Sequence, residues 1–138
     1  MIEFYSENNF DLSEQDEVSD WIKLVINSEG YTLGEVSYIF CSDEYLLQLN
    51  EDFLNHDTLT DIISFDYSLG KEINGEIYIS IDRVTENSSL YKVPFLEELH
   101  RVIIHGILHY CGYKDKTDEE ATLMRQKENE ALSKRNFL

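Results

Sequence analysis

Hydrophobic and polar residues alternate along this chain with two different periods, and the switches between them mark its elements. Met1 to Tyr5 alternates in steps of two, which predicts a first strand. From Leu12 to Ser28 the residues Val18, Trp21, Ile22 and Val25 recur at helical spacing until Gly30 stops the pattern. Val36, Tyr38 and Phe40, set against Glu35, Ser37 and Ile39, predict a second strand. Ser42 then stands where it can cap a helix carrying Leu46, Leu47, Leu49 and Phe53. Asp61 to Tyr67 and Glu76 to Ile81 read as two further strands, joined as a hairpin by a loop holding Gly70, Asn74 and Gly75. From Asp82 onward the spacing is helical: a segment to Tyr91, then a helix from about Pro94 to Cys111, with Pro94 suited to its first turn. The capping-box pair Thr117 and Glu120 opens the last helix, whose apolar positions are Leu123, Met124 and Leu132. The order βαβαββααα predicts an α+β fold, a small mixed four-stranded sheet packed with about five helices.

Length and composition narrow the setting. With 138 residues, no repeat and no Pro-, Gly- or Ser-rich linker, residues 1–138 are expected to form a single domain. The two cysteines, Cys41 and Cys111, are too few for a disulfide framework, and the N-terminal MIEFYSENNF mixes acids and amides into its apolar residues, unlike a secretory signal. A reducing, cytoplasmic location without membrane attachment is the expectation. The formal charge of −17 argues against nucleic acid held on a broad basic surface but leaves room for a local basic site. The acids around Glu14, Asp16 and Glu17, at Asp43 and Glu44, and from Asp118 to Glu120 read as solvated faces.

The candidate chemistry lies in HGILHYCGYKD, residues 105–115. Within its helix, Leu96, Leu99, Ile103, Ile107 and Tyr110 form the apolar side, while Glu98, Arg101, His105 and His109 fall on another stripe, expected to be polar and open. Histidines four apart share one helix face, and Gly112 can adopt the left-handed conformation that turns the chain back and brings Asp115 toward them. His105, His109 and Asp115 are therefore the expected metal ligands, and three protein ligands leave a position for water or substrate, as in catalytic sites. The spacing HxxxHxxGxxD mirrors the HExxHxxGxxH of metzincin peptidases, but Gly106 stands where those enzymes carry their glutamate base, which disfavours a peptidase. A side-chain-free Gly106 would admit a neighbouring strand or a substrate backbone close to the metal. A divalent ion that activates water and polarises a phosphoryl oxygen suits phosphodiester hydrolysis instead. Arg101, on the histidine face, and Lys114 and Lys116, flanking Asp115, either meet a phosphate or are solvated charge. His100 lies about 140° around the helix from His105 and is left out of the ligand set, as is His56. Cys111 reads as a small apolar residue at the helix end.

HGILHYCGYKD resembles the HGxLHLxGYDH signature of the YbeY family of metal-dependent endoribonucleases. DTLTDIISF is similar to that family's DxPTDVLSF, GEIYIS to its GDIxIS strand, and EEATLMRQKENEAL to its closing helix, so the resemblance runs from about Val36 to Leu132. It implies a small α+β fold, a zinc-type site and cleavage of single-stranded RNA in 16S ribosomal RNA 3′-end maturation and ribosome quality control. The small ribosomal subunit and ribosome-associated proteins are the implied partners. His105 and His109 carry over as ligands, and Asp115 takes the place of a third histidine, which keeps zinc first and widens the choice to nickel, manganese or iron. Leu54 stands where the family usually places an arginine, so if that arginine holds phosphate in relatives, either another cation such as Arg101 or Lys114 serves in its stead or this chain is a poorer nuclease. Leu59 replaces a proline. Asp61 is expected at the substrate cleft or beside the metal ligands, with Glu98 as an alternative for the latter role. Thr60 and Ser64 either line the cleft or are satisfied strand-edge hydroxyls. A second reading, motivated by the charge and by Leu54, is a ribosome-associated assembly factor whose metal site is structural or vestigial.

Overall fold

The computed structural model describes residues 1–54 and 60–137. The expectations placed on the Leu54 side chain and on His56 and Leu59 lie outside the described residues. The elements run β1 (Ile2–Ser6), α1 (Gln15–Ser28), β2 (Thr32–Cys41), α2 (Asp43–Leu54), β3 (Ile62–Asp66), β4 (Glu72–Ser80), α3 (Ile81–Tyr91), α4 (Phe95–Tyr110) and α5 (Asp118–Ser133). The four strands form one mixed sheet in the order β1-β2-β4-β3, with β1–β2 and β2–β4 parallel and β3–β4 antiparallel. The fold is the α+β arrangement that the pattern predicts.

Period-two alternation divides the sheet between two unequal cores. Val36, Tyr38 and Phe40 of β2 and Ile73, Ile77 and Ile79 of β4 point to one face and join the buried sides of α1, α4 and α5 in the main core. Cys41 and Ile63 point to the other face, where Leu46 of α2 closes a small second core with Phe65 and Tyr78 packed against it. The helix carrying the histidines thus lies on the thicker side of the sheet.

Several boundaries moved, each for a visible reason. α1 begins at Gln15 rather than Leu12, although Leu12 is buried in the same core. β2 starts at Thr32, with an irregular register between Leu33 and Val36 that disrupts the alternation there. β4 starts at Glu72, so Asn74 and Gly75 belong to the strand and not to the loop. The Asn74 side-chain oxygen accepts from the Glu35 amide at 2.8 Å, which stitches β4 to the irregular start of β2. Gly75 leaves space for the Tyr110 hydroxyl, which crosses over to donate to the Phe65 carbonyl at 2.9 Å, and a Cβ at Gly75 would sit 2.6 Å from that same carbonyl. Ile81, expected to end a strand, is the first residue of α3, whose cap is Ser80. Asp43 is not merely solvated: it accepts from Ser80 Oγ at 2.7 Å and pairs with Arg83 at 3.2 Å. The Thr117–Glu120 capping box is formed with both of its hydrogen bonds. No helix among the described residues is long and apolar enough to cross a membrane.

His100 belongs to the main core and not to the metal face. It is 2 % exposed, lies against Trp21 and Phe137, and its Nδ1 accepts from the Arg135 guanidinium at 2.9 Å. Burial, reinforced by the Arg135 charge, pushes its pKa down from 6.5 to about 4. As pH falls, the unfolded chain takes up this proton first, so the stabilisation is complete above pH 6.5 and lost on the way to pH 4. The share of stability involved is on the order of 3 kcal/mol. Urea unfolding of metal-free protein at pH 7 and pH 4 should show a smaller loss in His100→Gln than in the wild type by about that amount; equal losses would contradict this role.

Candidate metal centre

α4 begins where Pro94 forbids a further helical hydrogen bond and ends in a glycine-terminated turn. The Tyr113 amide donates to the Leu108 carbonyl at 3.1 Å and the Gly112 amide to His109 at 3.0 Å, with Gly112 at φ 99°. This is the Schellman pattern, in which a left-handed residue satisfies the last carbonyls of the helix. The turn is pinned from outside: the Tyr113 hydroxyl donates to Glu29 at the end of α1 at 2.6 Å, and Lys127 of α5 pairs with the same carboxylate at 2.8 Å. The chain is thereby folded back so that Asp115 faces the histidines.

Three donor atoms meet there. His105 Nε2 and His109 Nε2 are 3.0 Å apart, and Asp115 Oδ2 lies 3.2 Å from the first and 3.3 Å from the second. The opposite ring nitrogens are already engaged: His105 Nδ1 donates to Glu128 Oε2 at 2.6 Å, and His109 Nδ1 donates to the Tyr113 carbonyl at 2.9 Å. With both Nδ1 atoms engaged, the two Nε2 atoms and Asp115 Oδ2 are the atoms turned toward one another and able to share one ion. That arrangement suits a cation. A tetrahedral ion with bonds of about 2.0–2.1 Å separates its ligands by about 3.3 Å, so the spacing of this triangle fits a zinc-sized ion. His105, His109 and Asp115 are also the group among the described residues whose ligand atoms all lie within 4.8 Å of one another.

Glu128, on α5, organises the nearer imidazole. It is 5 % exposed and accepts from Arg101 at 3.0 Å as well as from His105. Arg101 is itself held by Asn129 at 2.9 Å. Burial alone would raise the Glu128 pKa, but the hydrogen bonds from His105 and Arg101 outweigh it and hold the carboxyl below its ordinary value. For His105 burial acts downward, and the Glu128 hydrogen bond and charge, with the charges of Asp115 and Asp61, overcome it and leave the pKa raised. The histidine stripe is therefore polar, as expected, but roofed by α5 rather than open. Gly106 does not face the site either. A Cβ there would meet Ile77 at 3.0 Å and Ile62 at 3.1 Å, so the bare position lets α4 settle on the sheet and offers no passage for substrate.

A family model described as endoribonuclease YbeY matches residues 2–136, the span that holds the histidine pair, the glycine turn and Asp115. The chain belongs to the YbeY endoribonuclease family. A relative named Endoribonuclease YbeY from Flavobacterium psychrophilum is 60 % identical over 132 residues, covering 96 % of this chain and 94 % of that protein. One of the same name from Cytophaga hutchinsonii is 50 % identical over 135 residues, covering 97 % and 94 %. A solution structure from Thermotoga maritima matches with a TM-score of 0.69 at 26 % identity, covering 96 % of this chain and 87 % of the other.

A cavity of about 260 Å³ opens beside His105, and Asp61, Glu98, Arg101, His105, Asp115 and Glu128 contribute to its wall. The Asp61 carboxyl is pushed up by burial, and Glu98, 6 % exposed, is pushed up by burial and then by the Asp61 charge. Of the cations expected to meet a phosphate, Arg101 reaches the cavity but is committed to Glu128 and Asn129. Lys114 and Lys116 are exposed on the turn and do not line the cavity. Nor do Thr60, whose hydroxyl donates to the Ile62 carbonyl at 3.2 Å, and Ser64, exposed on β3. Cys111 is buried at the helix end, and burial pushes its thiol up to about 12, consistent with an apolar role. Sequence reasoning missed Glu128, although a signal was present: it falls on the buried stripe with Met124 and Leu132, where an acid is out of place unless paired.

If Glu128 fixes the tautomer and direction of His105, Glu128→Gln should bind zinc about 10- to 100-fold more weakly while remaining folded. Competition with a chromophoric chelator measures this, and an unchanged affinity would contradict the assignment.

Proposed function

We propose that this chain is a metal-dependent endoribonuclease that cuts single-stranded RNA, acting in the cytoplasm on the 3′ end of 16S ribosomal RNA precursors and in ribosome quality control. The observation that carries this reading is the convergence of His105 Nε2, His109 Nε2 and Asp115 Oδ2 within 3.0–3.3 Å, in a member of an endoribonuclease family. These three residues would hold one divalent ion, zinc first, with nickel, manganese or iron as the alternatives a carboxylate ligand admits. Bound there, the ion would supply Lewis-acid activation of water and neutralise charge on the phosphoryl oxygens. The protein's own groups do the rest. Glu128 and the Tyr113 carbonyl aim the imidazoles. Asp61 and Glu98 line the same cavity, and burial pushes both carboxyls up, which supports Asp61 or Glu98 as a partner to the metal ligands; the general base is left unassigned. The ribosomal substrate implies contact with the small ribosomal subunit and its associated proteins.

Purified protein supplied with zinc, manganese or nickel should cut single-stranded RNA and spare duplex of the same sequence, and His109→Ala should lose at least about 100-fold in rate. Equal cleavage by both proteins would contradict the reading. In cells lacking the chain, small-subunit rRNA with an unprocessed 3′ end should accumulate and be corrected by the wild type alone. Correction by His109→Ala would favour an assembly factor over a nuclease.

A further inference from the structure

The cavity beside the candidate ligands is lined by four acids, Asp61, Glu98, Asp115 and Glu128, and by two arginines. A polyanion approaching such a wall needs a cation that is free to meet it. Arg101 is not free: one guanidinium nitrogen donates to Glu128 at 3.0 Å and another to Asn129 at 2.9 Å. Arg125 differs. Its side chain is 58 % exposed, and its contact with Glu128 is 3.6 Å, beyond hydrogen-bond distance. Glu128 retains its bonds to Arg101 and His105 without it, so Arg125 can swing to a ligand at little cost to the metal face.

A second exposed group shares this wall. Tyr91, in the last turn of α3, is 55 % exposed and lines the same cavity. Among the described residues its ring has no aromatic partner and its hydroxyl no hydrogen bond, so its exposed face and hydroxyl are open to a ligand. A loosely paired guanidinium and an exposed aromatic ring lining one cavity match the two recognisable parts of an unpaired nucleotide, its phosphate and the face of its base. We propose that Arg125 and Tyr91 form a nucleotide seat, Arg125 holding a phosphate and Tyr91 stacking on the adjacent base, which sets the strand across the metal face and requires that base to be unpaired. This inference rests on the endoribonuclease reading.

Binding of a fluorescent single-stranded RNA to the full chain, with metal removed so that no cleavage occurs, tests it alongside steady-state kinetics of the zinc-loaded enzyme. Arg125→Ala should weaken binding about tenfold and flatten the plot of log affinity against log salt by about 0.7, while Arg125→Lys keeps the slope. Tyr91→Ala should weaken binding by about tenfold with the slope unchanged, and Tyr91→Phe should behave as wild type. In the kinetics both alanine variants should raise KM with kcat within about twofold. Zinc affinity should be unchanged in both, which separates a seat for RNA from a prop for Glu128. Wild-type affinity and slope in Arg125→Ala, or a zinc affinity that falls with it, would overturn the proposal and leave the nuclease reading standing. A wild-type protein that neither binds nor cuts single-stranded RNA would overturn both.

Discussion

Two imidazole nitrogens and a carboxylate oxygen face one another across 3.0–3.3 Å, while the Nδ1 atoms of both imidazoles are engaged elsewhere. Donor atoms so arranged are suited to share one cation, and the contacts around them keep them together. The Schellman turn at Gly112 brings Asp115 back onto α4, and the link from Tyr113 to Glu29 and Lys127 holds that turn against α1 and α5. The Thr117–Glu120 capping box fixes where α5 starts, and hence where Glu128 lands over His105. Loss of any one of these contacts would leave the ligands present in the chain but misaligned in space.

The sheet sets the height of this site. α4 approaches β3 and β4 closely because Gly106 presents no side chain to Ile62 and Ile77, and Gly75 makes room for the Tyr110 hydroxyl to reach the Phe65 carbonyl. The main core on that face ties α4 to α1 and α5, while α2 covers the other face with a smaller core of its own. One packed face of the sheet therefore carries the candidate ligands, in keeping with the positioning that a metal site requires.

Element types were largely legible because the strands alternate cleanly and the helices carry strong caps, Thr117 with Glu120 above all. The candidate ligand grouping was legible because the four-residue spacing of His105 and His109 and the Gly112 turn that brings Asp115 back are local features of the chain, although contacts from α1 and α5 then hold that turn. What escaped the sequence depends on contacts between distant segments. Glu128 is 23 residues from the histidine it orients, and Arg101, expected to meet substrate, is instead engaged by it. Gly106 has the same local character whether it faces a substrate or a sheet, and only the packing of Ile62 and Ile77 decides between them. Asn74 and Gly75 carry turn chemistry yet lie within β4, because β2 and Tyr110 use them from outside the strand.

The most direct test of the account is a crystal structure of the zinc-loaded protein. It should show one ion bonded to His105 Nε2, His109 Nε2 and the Asp115 carboxylate, with the two Nδ1 atoms still donating to Glu128 and to the Tyr113 carbonyl. An ion bound through Nδ1, or one held without Asp115, would contradict it.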